Sequence, residues 1–150
     1  MAETSPEPIV TGSCLCGEVA FEVTLPTSVC AHCHCSQCRR AHGAAFVTWF
    51  TLPRSQWRMT AGSDQLRRYR SSEHATRSFC GRCGSSLFFE TERDPDRVDI
   101  VLANLHADLD RPPQLHIHVD DRVPWVELAD SLPRVGGDPG LGGEGGKELD

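Results

Sequence analysis

Three short cysteine clusters constrain the fold of this chain more than any other feature of its sequence. The chain has eight cysteines, and all but Cys30 belong to the segments Cys14-Leu15-Cys16, Cys33-His34-Cys35-Ser36-Gln37-Cys38 and Cys80-Gly81-Arg82-Cys83. Cysteines separated by one or two residues can place both sulfur atoms on one metal ion, because tetrahedral zinc binds thiolates at about 2.3 Å. The clusters therefore predict two metal sites, one with four sulfur ligands and one with three.

Disulfide pairing of these cysteines is the alternative, and the N-terminal sequence argues against it. Residues 1–10 have neither the basic nor the apolar region of a secretory signal. We therefore expect a cytoplasmic protein, whose thiols stay reduced. In that setting closely spaced cysteine pairs indicate a metal site first and a redox motif second. No apolar run approaches the roughly 20 residues that a membrane-spanning helix needs, so no membrane association is expected.

Length and charge limit the fold and the partners. A chain of 150 residues is expected to form one domain. Its hydrophobic content of 39% is low, so we expect bound metal to add to the stability of the fold. The net charge of −6 repels phosphate backbones, so a nucleic acid is not an expected partner.

Many short segments with strand-like patterns predict a mainly β fold. Val19, Phe21 and Val23 alternate with less apolar residues, which is typical of a half-buried strand. Further strands are predicted to start at residue 9 and to cover residues 29–34, 45–52, 57–59, 66–70, 76–79, 87–90, 98–105, 116–119 and 125–128. The sequence of residues 36–42 predicts a short helical segment that Ser36 caps at its N-terminus.

The domain boundaries follow from composition. Residues 9–134 are predicted to form the zinc-binding domain, and residues 1–8 a flexible N-terminus. Residues 135–150 are rich in glycine and nearly free of apolar side chains, so we expect a disordered tail there.

The spacing also favours one pairing of the clusters. The triplet Cys33, Cys35 and Cys38 can meet locally, whereas each of the other clusters offers two sulfur atoms and needs a distant partner. The simplest solution is a structural zinc site of Cys14, Cys16, Cys80 and Cys83. A triplet that recruits Cys30 or a cysteine of the third cluster remains an alternative, although Cys30 more simply fills the core as a small apolar side chain.

Three protein ligands leave a fourth position open, as in catalytic zinc sites. Water, a substrate thiol or one of His32, His34 and His42 can occupy that position, although these histidines follow no established ligand spacing. A thiol bound to zinc is deprotonated at neutral pH, and the thiolate is the nucleophilic form. Arg39 and Arg40 either bind substrate carboxylates or only offset the thiolate charge.

Other conspicuous side chains have simpler interpretations. Trp49 and Phe50 are expected to pack in the core. His116 and His118 would share one face of a strand, and we interpret them as structural because no third ligand lies nearby in the sequence.

Several of these motifs together resemble a known family. The segments Gly12–Gly17, His32–Arg40 and Phe79–Gly84, with the later Pro113–Val119 and Pro124-Trp125, are similar to the glutathione-dependent formaldehyde-activating enzymes, a family that includes centromere protein V. The resemblance covers roughly residues 9–134. It implies an Mss4-like, zinc-bound β-sheet fold.

The resemblance also implies roles for the cysteines. A structural zinc would bind Cys14, Cys16, Cys80 and Cys83, and a second, catalytic-type zinc would bind Cys33, Cys35 and Cys38. Cys35 would be the residue placed to link to glutathione. The implied activity is that of a carbon–sulfur lyase, which joins formaldehyde and glutathione reversibly as S-hydroxymethylglutathione.

Family membership defines the metal sites more firmly than the substrate. A lyase for another thiol adduct and a non-catalytic zinc module that contacts proteins are therefore alternatives. A redox sensor that releases zinc when the triplet oxidises is a third.

Overall fold

The computed structural model describes residues 7–137, which form ten β-strands and one α-helix. The strands are β1 (Ile9–Ser13), β2 (Ala20–Thr24), β3 (Val29–Cys33), β4 (Val47–Pro53), β5 (Trp57–Ala61), β6 (Leu66–Arg70), β7 (Ala75–Cys80), β8 (Ser86–Thr91), β9 (Arg97–Val101) and β10 (Leu115–Ile117). The helix α1 covers Ser36–His42, and 3-10 turns cover Arg54–Gln56, Leu102–Asn104 and Val119–Asp121.

The strands form two sheets. A three-stranded antiparallel sheet has the order β1-β2-β5, and a seven-stranded sheet has the order β10-β3-β4-β9-β8-β7-β6. In the larger sheet every neighbouring pair is antiparallel except β10 and β3, which run parallel. The prediction of a mainly β fold is confirmed.

Strand β4 divides the interior into two hydrophobic cores, here the first core and the second core. Phe50 and Leu52 belong to the first, which includes Phe21 of the smaller sheet and therefore lies between the two sheets. Val47 and Trp49 point to the opposite face and belong to the second, because successive side chains of a strand alternate between its faces. Trp49 and Phe50 are thus core residues, as expected.

Two predicted strands end two or more residues early, and a third is absent from the described residues. The strand predicted at 98–105 ends at Val101, where a 3-10 turn follows, and the one at 116–119 ends at Ile117. The strand predicted at 125–128 was wrong: Trp125 is 70% exposed and lies in a turn after Pro124. Alternating apolar residues form a strand only where a neighbouring strand can pair with them, and this segment has none.

The chain remains ordered slightly beyond residue 134. The amide of Val135 donates to the carbonyl of His116 at 2.9 Å, and the amide of His118 donates to the carbonyl of Gly137 at 3.2 Å. Most of the predicted tail and of the predicted flexible N-terminus lies in residues 1–6 and 138–150, outside the described residues. Within residues 7–137, each helix is too short or too polar to span a lipid bilayer.

Candidate functional site

One candidate metal site lies at the edge of the first core and is formed by Cys14, Cys16, Cys80 and Cys83, here the four-sulfur cluster. Its sulfur atoms all lie within 4.8 Å of one another. The Sγ atoms of Cys14 and Cys16 are 3.6 Å apart, and those of Cys16 and Cys80 are 3.8 Å apart. Tetrahedral zinc with sulfur ligands at about 2.3 Å requires sulfur–sulfur distances of about 3.8 Å, whereas a disulfide requires about 2.05 Å. The cluster can therefore hold a metal ion.

Tight turns bring these sulfur atoms together. Gly17 and Gly84 both have φ of 81°, a left-handed conformation that glycine adopts at little cost. Each glycine amide donates to the carbonyl of the first cysteine of its pair, Cys14 or Cys80. The turns also direct backbone amides at sulfur, since the amide of Val19 lies 3.3 Å from the Cys14 Sγ. Such hydrogen bonds stabilise thiolates.

Neighbouring polar groups favour ionised sulfur at Cys83 of the same cluster. The hydroxyl of Ser85 lies 3.2 Å from the Cys83 Sγ. Hydrogen bonding from the Ser85 hydroxyl, with further help from backbone amides, lowers the pKa of Cys83 to about 5. A backbone hydrogen bond at Glu18 lowers the pKa of Cys16, but desolvation and hydrogen bonds with the neighbouring thiols outweigh it and raise this pKa to about 12. Because metal binding requires thiolates, the environment favours a bound cation at Cys83 and a metal ion would have to displace the proton of Cys16.

A second candidate metal site, here the three-sulfur cluster, contains Cys33, Cys35 and Cys38. These sulfur atoms also lie within 4.8 Å of one another, and all three residues belong to the second core, with 5%, 1% and 4% of their surface exposed. Strand β3 ends at Cys33 and α1 begins at Ser36. The change from strand to helix turns the chain back on itself and brings the three side chains together.

The helix cap differs from the prediction. Cys35 caps α1, and its sulfur accepts a hydrogen bond from the Cys38 amide at 3.3 Å. Ser36, the predicted cap, is the first residue of the helix. A sulfur atom thus replaces the usual oxygen at the N-cap. It accepts a hydrogen bond from an amide of the first helical turn, which has no carbonyl partner within the helix.

Arg77, which the sequence analysis overlooked, contacts the three-sulfur cluster. Its two terminal nitrogen atoms both lie 3.6 Å from the Cys38 Sγ, and its guanidinium lies 5.1 Å from the centre of the Phe89 ring. Hydrogen bonds from Cys33 and Cys35, together with the positive charge of Arg77, hold the pKa of Cys38 well below its usual range. No local pattern in the sequence marks Arg77, which lies two residues after Ala75 on the face of β7 opposite to Cys80.

A small cavity of about 50 Å³ adjoins the three-sulfur cluster. The three cysteines and Arg77 line one part of it, and Arg97, Asp99, Thr51 and His118 are the other polar residues of its wall. Apolar side chains supply the remainder, namely Val29, Ala31, Trp49, Phe89 and Ile117. The volume admits roughly three to five water-sized molecules, so only a small group can reach the sulfur atoms through it.

A wider groove of about 670 Å³ lies beside this cavity and shares Trp49 and Arg77 with it. Gln37, Arg40, His42 and Tyr69 are among its lining residues. Arg39 is not: it is half-buried, and its Nε has no hydrogen-bond partner among the described residues. The structure therefore separates the two arginines that the sequence presented as a pair.

The buried histidines form a network of their own. The Nε2 of His34 lies 2.8 Å from the Nδ1 of His116, whose Nε2 lies 2.9 Å from a carboxylate oxygen of Asp130. Burial, with the nearby charge of His116, lowers the pKa of His34 to about 4. Within residues 7–137, no histidine nitrogen lies within 4.8 Å of all three sulfur atoms of the three-sulfur cluster. His32, His34 and His42 therefore do not complete that cluster in this structure.

Two further predictions concern Cys30 and His118. Cys30 is fully buried in the first core and belongs to neither cluster, which agrees with its interpretation as a core side chain. His118 was expected to share a strand with His116, but it follows the end of β10 and has φ of 54°. The period of the sequence gave no sign of this left-handed residue.

The fold and the site define a small β protein with two cysteine clusters that can hold metal ions. The family model of the glutathione-dependent formaldehyde-activating enzymes matches residues 9–121, and the chain belongs to this family.

Known proteins support this assignment. A protein of Halomonas elongata that is provisionally named a glutathione-dependent formaldehyde-activating enzyme is 28% identical to this chain over 127 residues. The matched region covers 80% of this chain and 81% of the Halomonas protein. An uncharacterized lyase of Schizosaccharomyces pombe is 28% identical over 78 residues, which cover 52% of this chain and 55% of its own. A crystal structure of a Rhodobacter sphaeroides protein superposes with a TM-score of 0.57 at 30% identity and covers 67% of this chain and 92% of its own.

Proposed function

We propose that this protein is a zinc-dependent carbon–sulfur lyase that forms and cleaves the adduct of glutathione and formaldehyde. The observation that carries this proposal is a buried three-sulfur cluster beside a small cavity of about 50 Å³. Family membership and the names of the relatives support a lyase-type function.

The four-sulfur cluster and the three-sulfur cluster would have different roles. Cys14, Cys16, Cys80 and Cys83 would bind a structural zinc within the domain of residues 9–134, and Cys33, Cys35 and Cys38 would bind a second zinc. When bound, the zinc ion would act as a Lewis acid that favours the deprotonated form of an incoming thiol. Cys35 would be the catalytic cysteine. A reducing cytoplasm would keep all seven thiols available for metal.

Glutathione would occupy the wider groove. The groove volume of about 670 Å³ is in the usual range of ligand pockets. Arg40 in its wall can bind a glutathione carboxylate through charge-assisted hydrogen bonds. Arg39 would assist only by its positive charge, because it does not line the groove. The shared residues Trp49 and Arg77 lead from the groove to the cavity, where the glutathione sulfur would meet the aldehyde carbon.

The reaction needs few changes in bonding. In the direction of synthesis, a lone pair of the glutathione thiolate forms the carbon–sulfur bond, and the electron pair of the carbonyl π bond moves to oxygen, which takes up a proton. Cleavage reverses these steps. The small cavity admits only a few water molecules, and this low hydration strengthens the electrostatic interactions with the developing oxyanion.

The deep burial of all three cysteines of the three-sulfur cluster also favours a second candidate. Closed structural zinc sites are buried in this way, so both clusters would then serve folding, and the protein would be a non-catalytic zinc module. A lyase for another thiol adduct is a variant of the first proposal in which the groove holds a different thiol.

Two-dimensional exchange NMR on a mixture of glutathione and formaldehyde tests the proposal. The zinc-loaded protein should accelerate exchange between free glutathione and S-hydroxymethylglutathione. Cys35→Ser should abolish the acceleration, and the control Cys30→Ala, which lies in neither cluster, should retain it. No acceleration by protein that carries two zinc ions would contradict the proposal and favour the module or another thiol.

A further inference from the structure

His118 lies where two strands end beside the three-sulfur cluster. Strands β3 and β10 run parallel, and Cys33 pairs with Ile117 in their register. The carboxyl ends of both strands therefore meet at one edge of the sheet. The segment from His34 to Cys38 follows β3, and the segment that begins at His118 follows β10, so both segments lie at that edge. His118 and the three cysteines all line the small cavity.

One ring nitrogen of His118, a residue that lines this cavity, has no hydrogen-bond partner among the described residues. His118 is 1% exposed, and its Nε2 is buried without a hydrogen-bond partner among residues 7–137. Leaving a buried polar atom unpaired costs about 1–3 kcal/mol. An unpaired atom of this kind in a residue that lines a cavity is typical of a site where a bound molecule completes the hydrogen bonding.

The backbone holds His118 in a costly conformation. Its φ of 54° is the left-handed region, which is uncommon for any residue other than glycine. The amide of His118 donates to the carbonyl of Gly137, and its carbonyl accepts from the amide of Asp121 at 3.1 Å. These two backbone hydrogen bonds fix the position and direction of the Cα–Cβ bond of His118. Left-handed conformations of residues other than glycine are concentrated at functional sites.

From these observations we infer that His118 is the catalytic residue that exchanges a proton with the oxygen of the thiol–aldehyde adduct. This inference rests on the proposed function. In cleavage, the Nε2 lone pair takes the hydroxyl proton, the oxygen–hydrogen electron pair becomes the carbonyl π bond, and the carbon–sulfur pair leaves with sulfur as a thiolate. In synthesis, the Nε2–H donates its proton to the oxygen as the thiolate sulfur attacks the carbon.

Other roles fit the geometry less well. His118 does not lie within 4.8 Å of all three sulfur atoms, so it is not a fourth metal ligand in this arrangement. The second buried histidine with an unpaired nitrogen is His34, at its Nδ1. His34 is not among the residues that line the cavity and is hydrogen-bonded to His116 instead.

The first test replaces the imidazole and then restores it. His118→Gly fits the left-handed backbone without strain and should retain the circular dichroism spectrum and both zinc ions. The rate constant kcat for adduct exchange should fall by about 10²- to 10⁴-fold, the usual contribution of general acid–base catalysis, with little change in KM. Added imidazole should restore part of the rate to this variant and none to Cys35→Ser. The control His106→Gln, at an exposed histidine, should behave as the wild type.

The second test measures binding without catalysis. In protein labelled with ¹⁵N at histidine, the His118 ring signal is assigned from its absence in His118→Gly. S-(2-hydroxyethyl)glutathione should shift this signal, and S-ethylglutathione, which lacks the hydroxyl, should leave it nearly unchanged.

The outcomes separate this inference from the proposed function. If the wild type accelerates exchange and His118→Gly with full zinc content does so equally, the inference is wrong and the lyase function stands. An equal shift of the ring signal by both glutathione derivatives would also overturn it. If the wild type itself gives no acceleration, the proposed function fails, and the role of His118 fails with it.

Discussion

Replacing Cys80 should unfold the domain, whereas replacing Cys35 should not. Cys80 is completely buried in the first core, and its cluster joins the turn after β1 to the turn after β7. Cys80→Ser replaces one of the four sulfur atoms of this cluster with a hydroxyl. Cys35→Ser removes a ligand from the three-sulfur cluster, but serine is a good N-cap and can still accept the Cys38 amide at the start of α1.

The expected magnitude follows from metal binding. Structural zinc contributes about 10–16 kcal/mol to the folding of small zinc domains, while whole domains are stable by only about 5–15 kcal/mol. Losing even a third of the metal term, about 3–5 kcal/mol, lowers the melting temperature by roughly 6–20 °C at about 2–4 °C per kcal/mol. Cys35→Ser should cost about 1–2 kcal/mol, the range of an ordinary substitution.

Thermal melts followed by circular dichroism, together with zinc content measured by mass spectrometry, check this prediction. Cys80→Ser should melt early or fail to fold, and wild type treated with a strong chelator should behave in the same way. Cys35→Ser should keep one zinc ion and most of its melting temperature. Equal melting temperatures for the two variants, or a stable Cys80→Ser, would refute the division of the clusters into a structural and a catalytic site.

Three further predictions concern the arginines and the histidine network. Arg77→Met removes charge-assisted hydrogen bonds worth about 1.5–3 kcal/mol from Cys38, so a competing chelator should take zinc from the three-sulfur cluster about 10- to 100-fold more readily. Arg40→Gln should raise the KM for glutathione several-fold in exchange NMR and leave kcat nearly unchanged, since Arg40 lines only the groove. The hydrogen bond to His116 lowers the pKa of Asp130 below its unfolded value, so this carboxylate stabilises the fold above the unfolded pKa and loses that effect as pH falls through the folded pKa. Asp130→Asn should therefore narrow the difference in urea midpoint between pH 5 and pH 3 relative to the wild type.

Cysteine spacing and strand period predicted the large features of this molecule because both are local signals. The pairs around Cys14 and Cys80 need partners that only another pair can supply, which leaves the triplet to itself. Alternation at Val19, Phe21 and Val23 predicted a half-buried strand because the side-chain period of a strand is two, and all three residues are fully buried. In such cases a residue and its immediate neighbours contain the necessary information.

The features that the sequence did not predict depend on residues far away in the chain. Arg77 contacts Cys38 only because β7 and the turn after β3 face the same core, and no local pattern shows that. His118 leaves the strand because its amide finds Gly137 rather than a strand partner. Residues 125–128 have an apolar pattern but no neighbouring strand, so they form no strand. The cap at Cys35 instead of Ser36 is a shift of one residue, which sulfur makes possible by accepting an amide.

The position of the clusters on the fold accounts for their proposed division of labour without reference to the family. The four-sulfur cluster links the turn between β1 and β2, in the smaller sheet, to the turn between β7 and β8, in the larger one. Cys16 and Cys80 are 64 residues apart in the sequence. A metal bound here would therefore reinforce the other contacts between these two turns, such as the Arg82–Glu18 ion pair and the hydrogen bond from the Leu15 amide to the Ser85 hydroxyl. The sulfur atoms of the three-sulfur cluster all come from six consecutive residues, so a metal ion bound to them would cross-link no distant segments of the chain. We therefore expect that this cluster tolerates a change of ligands or a bound substrate without loss of the fold, as the proposed catalytic role requires.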